Sequence, residues 1–184
     1  MSDQTNLALI LKAAAFAADK HRTQRRKDAE ASPYINHPLA LAHILCSEGG
    51  VTDSIVIAAA LLHDTVEDTE TTPEELEREF GPEVAAIVAE VTDDKDLEPK
   101  VRKQLQVTKA ASKSDRAKLV KLADKTANLR DIAAAPPVKW SPERRQEYCR
   151  WAAEVVTGLR GINAPLEAAF DQAHAEALQA SETA

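Results

Sequence analysis

Apolar residues recur at steps of three and four along most of this chain, which is the spacing of one face of an α-helix. The clearest stripe consists of Tyr148, Trp151, Ala152, Val155, Val156 and Leu159. A second stripe, near the start of the chain, consists of Leu7, Ile10, Leu11, Ala14, Ala15 and Ala18. We expect both stripes to be buried helix faces. No run alternates apolar and polar residues between turn signals, so the pattern predicts an all-α fold and excludes all-β and doubly wound architectures.

Helix boundaries are marked by four clusters of capping, proline and glycine residues: Thr72-Pro73, Phe80-Gly81-Pro82, Pro136-Pro137 and Ser141-Pro142. They predict about eight or nine helices joined by short connections. Composition agrees, since 34 residues are alanine, the best helix former, and only 5 are glycine. A length of 184 residues suits one compact domain, so we expect a single domain over residues 1–184 with its core at about residues 7–178.

Net charge and cysteine content narrow the functional classes. A formal charge of −7 argues against a nucleic-acid-binding surface, which needs excess lysine and arginine. Cys46 and Cys149 have no metal-ligand spacing and are expected to be free thiols in a reducing compartment. No apolar stretch is long enough to span a bilayer, and residues 1–6 are polar where a signal peptide would be basic and then apolar. We therefore expect a cytoplasmic protein with no membrane contact, and no feature predicts a protein partner.

The segment that follows the most hydrophobic part of the chain contains a histidine and three carboxylates. Residues 55–62 are apolar on every side, which predicts a helix buried all round, and His63-Asp64 follow at once, with Glu67 and Asp68 one turn later. Ionised carboxylates next to a core are costly unless they are paired or bound to a cation. We therefore expect a metal site at this point of the chain.

Four residues are candidate metal ligands: His37, His63, Asp64 and Asp124. Imidazole and carboxylate donors together suit a divalent ion such as Mn²⁺, Fe²⁺ or Zn²⁺. The four residues would come from three different helices and meet in a helical core. Taken singly, each histidine could be a hydrogen-bonded core residue and each aspartate an ion-paired or solvated one. Together they make a more specific pattern.

Glu67 and Asp68 are candidate catalytic residues. They follow His63 and Asp64 by four positions, so each lies one turn above a proposed ligand if the helix continues. A carboxylate there can accept a proton from water activated by the metal, which is the machinery of a hydrolase. The alternative is ordinary loop charge in an acidic protein.

A basic segment precedes His37. Residues 20–27 contain five lysines or arginines in an otherwise acidic chain, and such cations hold the phosphates of an anionic substrate. Arg26 and Lys27 are the expected phosphate contacts. Asn128 lies one turn after Asp124 and could bind a sugar hydroxyl or a phosphate. A charge run of this kind is more often only a solvated surface.

At these residues the sequence resembles the HD-type metal-dependent phosphohydrolases, whose separated His, His-Asp and Asp residues are matched by the four candidate ligands. It is more closely similar to the hydrolase domain of the RelA/SpoT family, and to small alarmone hydrolases related to the metazoan SpoT homologue. The matching stretches are residues 21–27 (HRTQRRK), 33–38 (PYINHP), 60–69 (ALLHDTVEDT), 91–95 (VTDDK), 120–125 (VKLADK) and 140–148 (WSPERRQEY). The chain departs from the pattern at Thr126-Ala127, where relatives commonly have a larger apolar residue and then a ring.

The resemblance implies an HD-domain enzyme with one Mn²⁺ per chain. It would remove the 3′-pyrophosphate from guanosine tetra- or pentaphosphate (ppGpp or pppGpp), giving GDP or GTP. The four candidate ligands would bind the metal, Glu67 and Asp68 would activate water, and Arg26, Lys27 and Asn128 would hold the nucleotide. Arg144 and Tyr148 would line the far end of the nucleotide. Another divalent ion could replace Mn²⁺ in a purified sample, because Mn²⁺ lies at the weak end of the affinity series.

Two other functions fit the same residues. The site could remove the 2′-phosphate of NADPH, which also presents a phosphorylated ribose. The chain could instead bind alarmones without turnover, but such a protein is expected to have lost the His-Asp or the Glu-Asp pair, and both pairs are present.

Overall fold

A computed structural model describes residues 3–182, and the described residues form helices joined by short loops, which confirms the all-α prediction. Within this part of the chain, nine helices have eight or more residues and a tenth is a single turn. Their bounds are α1 (Asp3–Lys20), α2 (Asn36–His43), α3 (Ser54–Leu62), α4 (Thr65–Asp68), α5 (Pro73–Phe80), α6 (Pro82–Val91), α7 (Pro99–Lys109), α8 (Asp115–Ala134), α9 (Pro142–Thr157) and α10 (Ala164–Glu182).

The predicted domain span of residues 1–184, with its polar start, extends at both ends beyond the described residues. Two of the helices continue as tighter or wider turns. Residues Ile44–Glu48 extend α2 as a π-helical turn, and Ala110–Ser112 extend α7 as a 3₁₀ turn. No helix among the described residues combines the length and the apolar character needed to cross a membrane.

Helix α3 is the centre of the fold. All nine of its residues are buried, as the uniformly apolar sequence predicts, and α1, α2, α6 and α8 pack around it. The side chain of Asp53 caps its first turn by accepting a hydrogen bond from the backbone N–H of Ile55. Because α3 is surrounded on all sides, the residue at its C-terminal end, His63, also lies in the protein interior.

The C-terminal helices cover the other side of α8. Helix α10 packs along α8 and α9, and the predicted α9 stripe is buried at Ala152, Val155, Val156 and Leu159. Its two aromatic members, Tyr148 and Trp151, are only partly buried and lie against the edge of the core.

The stripe predicted on α1 is wrong for four of its six members, whereas Ile10 and Ala14 are partly buried against the core. Leu7 and Leu11 are 57% and 60% exposed, and the face that packs on α3 is carried by Ala13 and Ala17, both fully buried. The physical reason is composition. A helix rich in alanine offers several stripes at helical spacing, and periodicity alone does not say which of them faces the core.

Helices α5 and α9 begin where the capping residues predict. The hydroxyl of Thr72 accepts the backbone N–H of Glu75, and that of Ser141 accepts the backbone N–H of Arg144. Gly81, between α5 and α6, has a φ of 85°, a conformation that favours glycine. These caps and the glycine turn end one helix and start the next within a few residues, so the connections are short.

Candidate functional site

Three elements of the core bring the predicted metal ligands together. His37 lies in the first turn of α2, His63 and Asp64 lie between α3 and α4, and Asp124 lies in the middle of α8. His37, His63 and Asp124 are buried, and Asp64 is partly buried. The turn that carries Asp64 is closed by the backbone N–H of Asp68, which donates to the Asp64 carbonyl over 2.8 Å. The helical geometry therefore continues from Asp64 into α4.

The donor atoms of these side chains converge on one point. One donor atom each of His37, His63 and Asp124 lie within 4.8 Å of one another. His37 Nε2 is 3.3 Å from Asp124 Oδ1, and His63 Nε2 is 4.0 Å from the same oxygen. Asp64 Oδ2 is 2.9 Å from His63 Nε2 and 4.0 Å from His37 Nε2. Two imidazoles and two carboxylates thus face one another in the interior.

His63 shows that this arrangement fits a cation. Its Nδ1 donates to the backbone carbonyl of Ala60 at 2.8 Å, which leaves Nε2 with a free lone pair. That Nε2 is buried and has no hydrogen bond, although Asp64 Oδ2 is close, because the two groups do not meet in hydrogen-bond geometry. A histidine fixed through one nitrogen and open at the other is the usual form of a metal ligand.

Both carboxylates of the cluster are also held by donors from outside it. Asp124 Oδ2 is 3.1 Å from the ammonium of Lys125, and its Oδ1 accepts the amide of Asn128 at 2.6 Å. Asp64 accepts a hydrogen bond from the Tyr34 hydroxyl. Burial raises the pKa of a carboxyl, but Lys125 and the imidazoles more than offset this and hold the pKa of Asp124 well below its usual range. The cluster is therefore built to keep its negative charge.

The pKa values of the neighbours follow from the same charges. Burial would lower the pKa of His63, but the carboxylates of Asp64 and Asp124 raise it. Burial and the charge of Asp64 raise the pKa of Tyr34, so this phenol stays protonated and donates.

Glu67 and Asp68 occupy different surroundings on α4. Glu67 is half-buried, and its Oε2 accepts the backbone N–H of Asp93 at 3.2 Å. Burial raises the pKa of Glu67, although the hydrogen bond from Asp93 acts in the opposite direction. Asp68 is exposed and lines the cleft, where it contacts Lys95 and Gln24 over 2.5 and 3.0 Å. The two adjacent carboxylates are thus not equivalent.

A cleft of about 440 Å³ opens in front of the cluster, with His37 and Asp68 in its wall. The basic segment lines its opposite side as a small hairpin, in which Arg26 N–H donates to Ser32 carbonyl over 2.8 Å. Arg26 forms an ion pair with Asp131 and reaches Asn128 at 3.4 Å. Within the described chain, the Lys27 ammonium makes no hydrogen bond or ion pair. Arg25 also lines the cleft, whereas Lys20 pairs with Glu75 on α5 and Arg22 with Asp19 on α1.

Arg144 and Tyr148 lie in a neighbouring pocket of about 250 Å³. Its wall is shared with the cleft only at Trp140, whose ring lies under the Arg144 guanidinium and beside the Tyr148 ring. Asn128 lines the cleft, and its amide NH₂ donates to Asp124 on the preceding turn of α8. The structure therefore places Arg26, Lys27 and Asn128 along the cleft, and Arg144 and Tyr148 beyond it.

The unusual pair Thr126-Ala127 lies in the core. Both residues are buried, and the Thr126 hydroxyl donates to the carbonyl of Leu122 on the same helix. Neither residue lines the cleft.

The contacts of six residues at the site were not predicted from the sequence: those of Tyr34, Lys125, Gln24, Asp131, Asp93 and Lys95. Tyr34 and Lys125 carry a weak sequence signal, since they lie three residues before His37 and directly after Asp124. Gln24 and Asp131 carry none, because their partners Asp68 and Arg26 are distant in the chain. These pairs form only in the folded chain, where Gln24 meets Asp68 at the end of α4 and Arg26 meets Asp131 on α8.

Comparison with known proteins agrees with the site. The HD domain family matches residues 13–154. Guanosine-3′,5′-bis(diphosphate) 3′-pyrophosphohydrolase MESH1 of Xenopus tropicalis is 60% identical over 167 residues, which are 91% of this chain and 93% of that protein. The Homo sapiens protein of the same name is 59% identical over 163 residues, 89% of this chain and 91% of that protein.

A solved structure of a metazoan ortholog of SpoT, which hydrolyzes ppGpp and plays a role in starvation responses, has the same fold. It superimposes with a TM-score of 0.89 at 50% sequence identity, covering 92% of this chain and 95% of its own. The predicted resemblance is thereby confirmed. This chain belongs to the HD domain family and, within it, to the group formed by the MESH1 proteins and the metazoan SpoT ortholog.

Proposed function

We propose that this protein is a metal-dependent hydrolase that removes the 3′-pyrophosphate of ppGpp or pppGpp and leaves GDP or GTP. The observation that carries the proposal is the buried convergence of His37, His63 and Asp124 beside Asp64, at the floor of a cleft with a cationic wall. The relatives named above supply the substrate class, since they carry the name of this pyrophosphohydrolase activity at up to 60% identity.

The metal ligands in this proposal are His37, His63, Asp64 and Asp124. Mixed imidazole and carboxylate donors suit a borderline or hard divalent cation, and Mn²⁺ is the ion that we propose. The chemistry expected of a divalent cation at such a site is polarisation of a phosphoryl oxygen and acidification of water. Lys125, Asn128 and Tyr34 keep the two carboxylates in place.

Glu67 is the proton acceptor that the geometry favours. Its raised pKa makes it a better base than an ordinary glutamate, and it lies one turn beyond the proposed ligand His63. Asp68, at the wall of the cleft, orients the attacking water through its carboxylate. The proton removed from water passes to Glu67 as the oxygen attacks the phosphorus that is bonded to the ribose 3′-oxygen. The bond between this phosphorus and the 3′-oxygen breaks, the 3′-oxygen takes up a proton from water, and the attacked group is released as pyrophosphate.

The cationic side of the cleft binds the nucleotide and its leaving group. Arg26 and Lys27 neutralise phosphate oxygens, and the fork of Arg26 can hold two of them at once. Asn128 orients Arg26 and Asp124 together, because its amide group contacts both. Arg144 and Tyr148, next to the cleft, contact the far end of the nucleotide.

One assay tests the proposal. Metal-free protein is incubated with ppGpp, with and without Mn²⁺, and GDP and pyrophosphate are quantified in the same sample. We expect equal amounts of the two products only with the metal. Release of inorganic phosphate in place of pyrophosphate, or turnover that EDTA does not stop, would contradict the proposal.

NADPH is the substrate to compare in that assay. If kcat/KM for loss of its 2′-phosphate exceeds that for ppGpp in the same Mn²⁺-loaded sample, the phosphatase function replaces the one proposed. If the protein binds ppGpp but converts neither compound, it is a non-catalytic alarmone-binding protein.

A further inference from the structure

The loop between α6 and α7, residues 92–98, contacts both proposed catalytic carboxylates. Its Asp93 backbone N–H donates to Glu67 Oε2 at 3.2 Å, and the Lys95 ammonium donates to Asp68 Oδ1 at 2.5 Å. The sequence resemblance included this stretch but gave it no role. We call it the α6–α7 loop.

The Lys95 contact is one half of a clamp on Asp68. Gln24 Nε2 donates to the other carboxylate oxygen, Oδ2, at 3.0 Å. The amide of Gln24 is itself oriented by His21, whose Nδ1 lies 2.6 Å from Gln24 Oε1 in the interior. Donors from two separate loops thus fix the plane of the Asp68 carboxylate, while its remaining lone pairs stay free toward the cleft.

The α6–α7 loop is anchored independently of α4. Gln106 on α7 donates from Nε2 to Asp93 Oδ2 at 2.5 Å. Since the backbone of Asp93 holds Glu67 and its side chain is held by α7, the loop has a defined position from which Lys95 can act.

Lys95 itself does not line the cleft, although Asp68 does. The pair is also exposed, with 49% of the Lys95 side chain and 24% of the Asp68 side chain accessible, and pairs of this kind contribute little to stability. A contact that adds little to folding, and that ends on a proposed catalytic carboxylate, points to a role in the reaction.

We propose that Lys95 is a positioning residue for Asp68: through its ion pair, with Gln24 on the opposite oxygen, it holds this carboxylate in the orientation that aligns the attacking water. The inference rests on the proposed hydrolase function. Lys95 acts on the chemical step and makes no contact with the nucleotide.

The kinetic test compares Lys95→Met with Lys95→Arg, using Lys100→Met as the matched control. Lys100 is an exposed lysine on α7, so its loss changes the net charge equally. We expect Lys95→Met to lower kcat about 10- to 100-fold, the range expected for a misaligned reacting group. KM should stay near the wild-type value, Lys95→Arg should recover most of kcat, and Lys100→Met should behave as the wild type.

A double-variant comparison separates positioning from other roles. If Lys95 acts through Asp68, Lys95→Met should cause no further loss of kcat in an Asp68→Asn background. An equal loss in both backgrounds, or a raised KM with unchanged kcat, would overturn the inference, because Lys95 would then act on something else.

A readout without turnover uses metal-free protein. The ¹⁵N-ammonium resonance of Lys95 should show slowed hydrogen exchange in the wild type, and this should be lost in Asp68→Asn. A Lys95 ammonium that exchanges as fast as that of Lys100 would count against the ion pair. Wild-type protein that releases no pyrophosphate overturns the proposed function and the inference with it, whereas an active wild type with unchanged kcat in Lys95→Met overturns the inference alone.

Discussion

The floor of the cleft and its mouth are built in opposite ways. At the floor, His37, His63 and Asp124 are buried on or beside helices that pack around α3. At the mouth, Arg26 and Lys27 project from a hairpin whose side chains are partly or fully exposed. The floor is thus held by the packing of the core, and the mouth by the contacts of a surface hairpin.

The difference follows from the cost of burying charge. Carboxylates at the floor must be compensated by the protein in advance, and Asp124 has Lys125 and Asn128 for this purpose. At the mouth, Lys27 is exposed and needs no such support, whereas Arg26 is partly buried and is paired with Asp131. We therefore expect substitutions at the floor to abolish the reaction, and substitutions at the mouth to weaken binding by degrees.

The largest effect is expected at the floor. His63→Ala removes a proposed ligand and should lower both Mn²⁺ binding and pyrophosphate release, the latter by at least about a thousandfold. Metal affinity is measured by calorimetry and turnover by product analysis. His43→Ala is the control, because His43 is exposed on the same helix as His37 and contacts only Ser47 among the described residues.

Retention of full Mn²⁺-dependent turnover in His63→Ala, or in Asp64→Asn, would show that these residues are not ligands. The floor would then have to be understood as a network of ordinary ion pairs.

The proposed base gives the next largest effect. Glu67→Gln keeps the size of the side chain but cannot accept the proton, so kcat should fall between about 10²- and 10³-fold. Metal binding should be unchanged, which separates this variant from His63→Ala. A Glu67→Gln protein with normal kcat would assign the proton transfer to another group.

The pH dependence of kcat gives a related check with a defined sign. Glu67 must be ionised to accept a proton, and burial raises its pKa above the ordinary 4.5. Activity should therefore fall as the pH drops through this raised pKa, at a higher pH than for an exposed glutamate. The profile is measured at saturating Mn²⁺, so that protonation of the histidine ligands does not contribute, and the residual activity of Glu67→Gln should lack this limb.

Much of the floor could be predicted from the sequence, and little of the mouth. The apolar run of α3 leads directly to His63-Asp64, so burial and ligand type could be inferred together. The stripe on α1 was predicted wrongly, because alanine provides no contrast between faces. The pairing of Arg26 with Asp131 could not be inferred, since nothing local in either segment indicates the other.

Arg26→Ala tests the mouth. We expect KM for ppGpp to rise about 10- to 50-fold with a smaller change in kcat, the cost of losing a charge-assisted contact with phosphate. The kinetic parameters should be measured at two salt concentrations, because a contact at an exposed cation weakens as salt is added. A fall in kcat alone would mean that Arg26 belongs functionally with the floor.

The smallest effect is expected for Arg144→Ala. Arg144 is exposed and lies beyond Trp140, where it lines one pocket with Tyr148 and another with Lys27, so we expect it to contact the end of the nucleotide that is farthest from the reaction. We expect KM to rise about threefold with kcat unchanged, as for an exposed ionic contact. Because neither pocket lined by Arg144 includes Arg26, this variant should also leave the salt dependence contributed by Arg26 intact. A rise in KM as large as that of Arg26→Ala would mean that Arg144 contributes as much as Arg26 to binding the nucleotide. The binding surface at the mouth would then extend to α9.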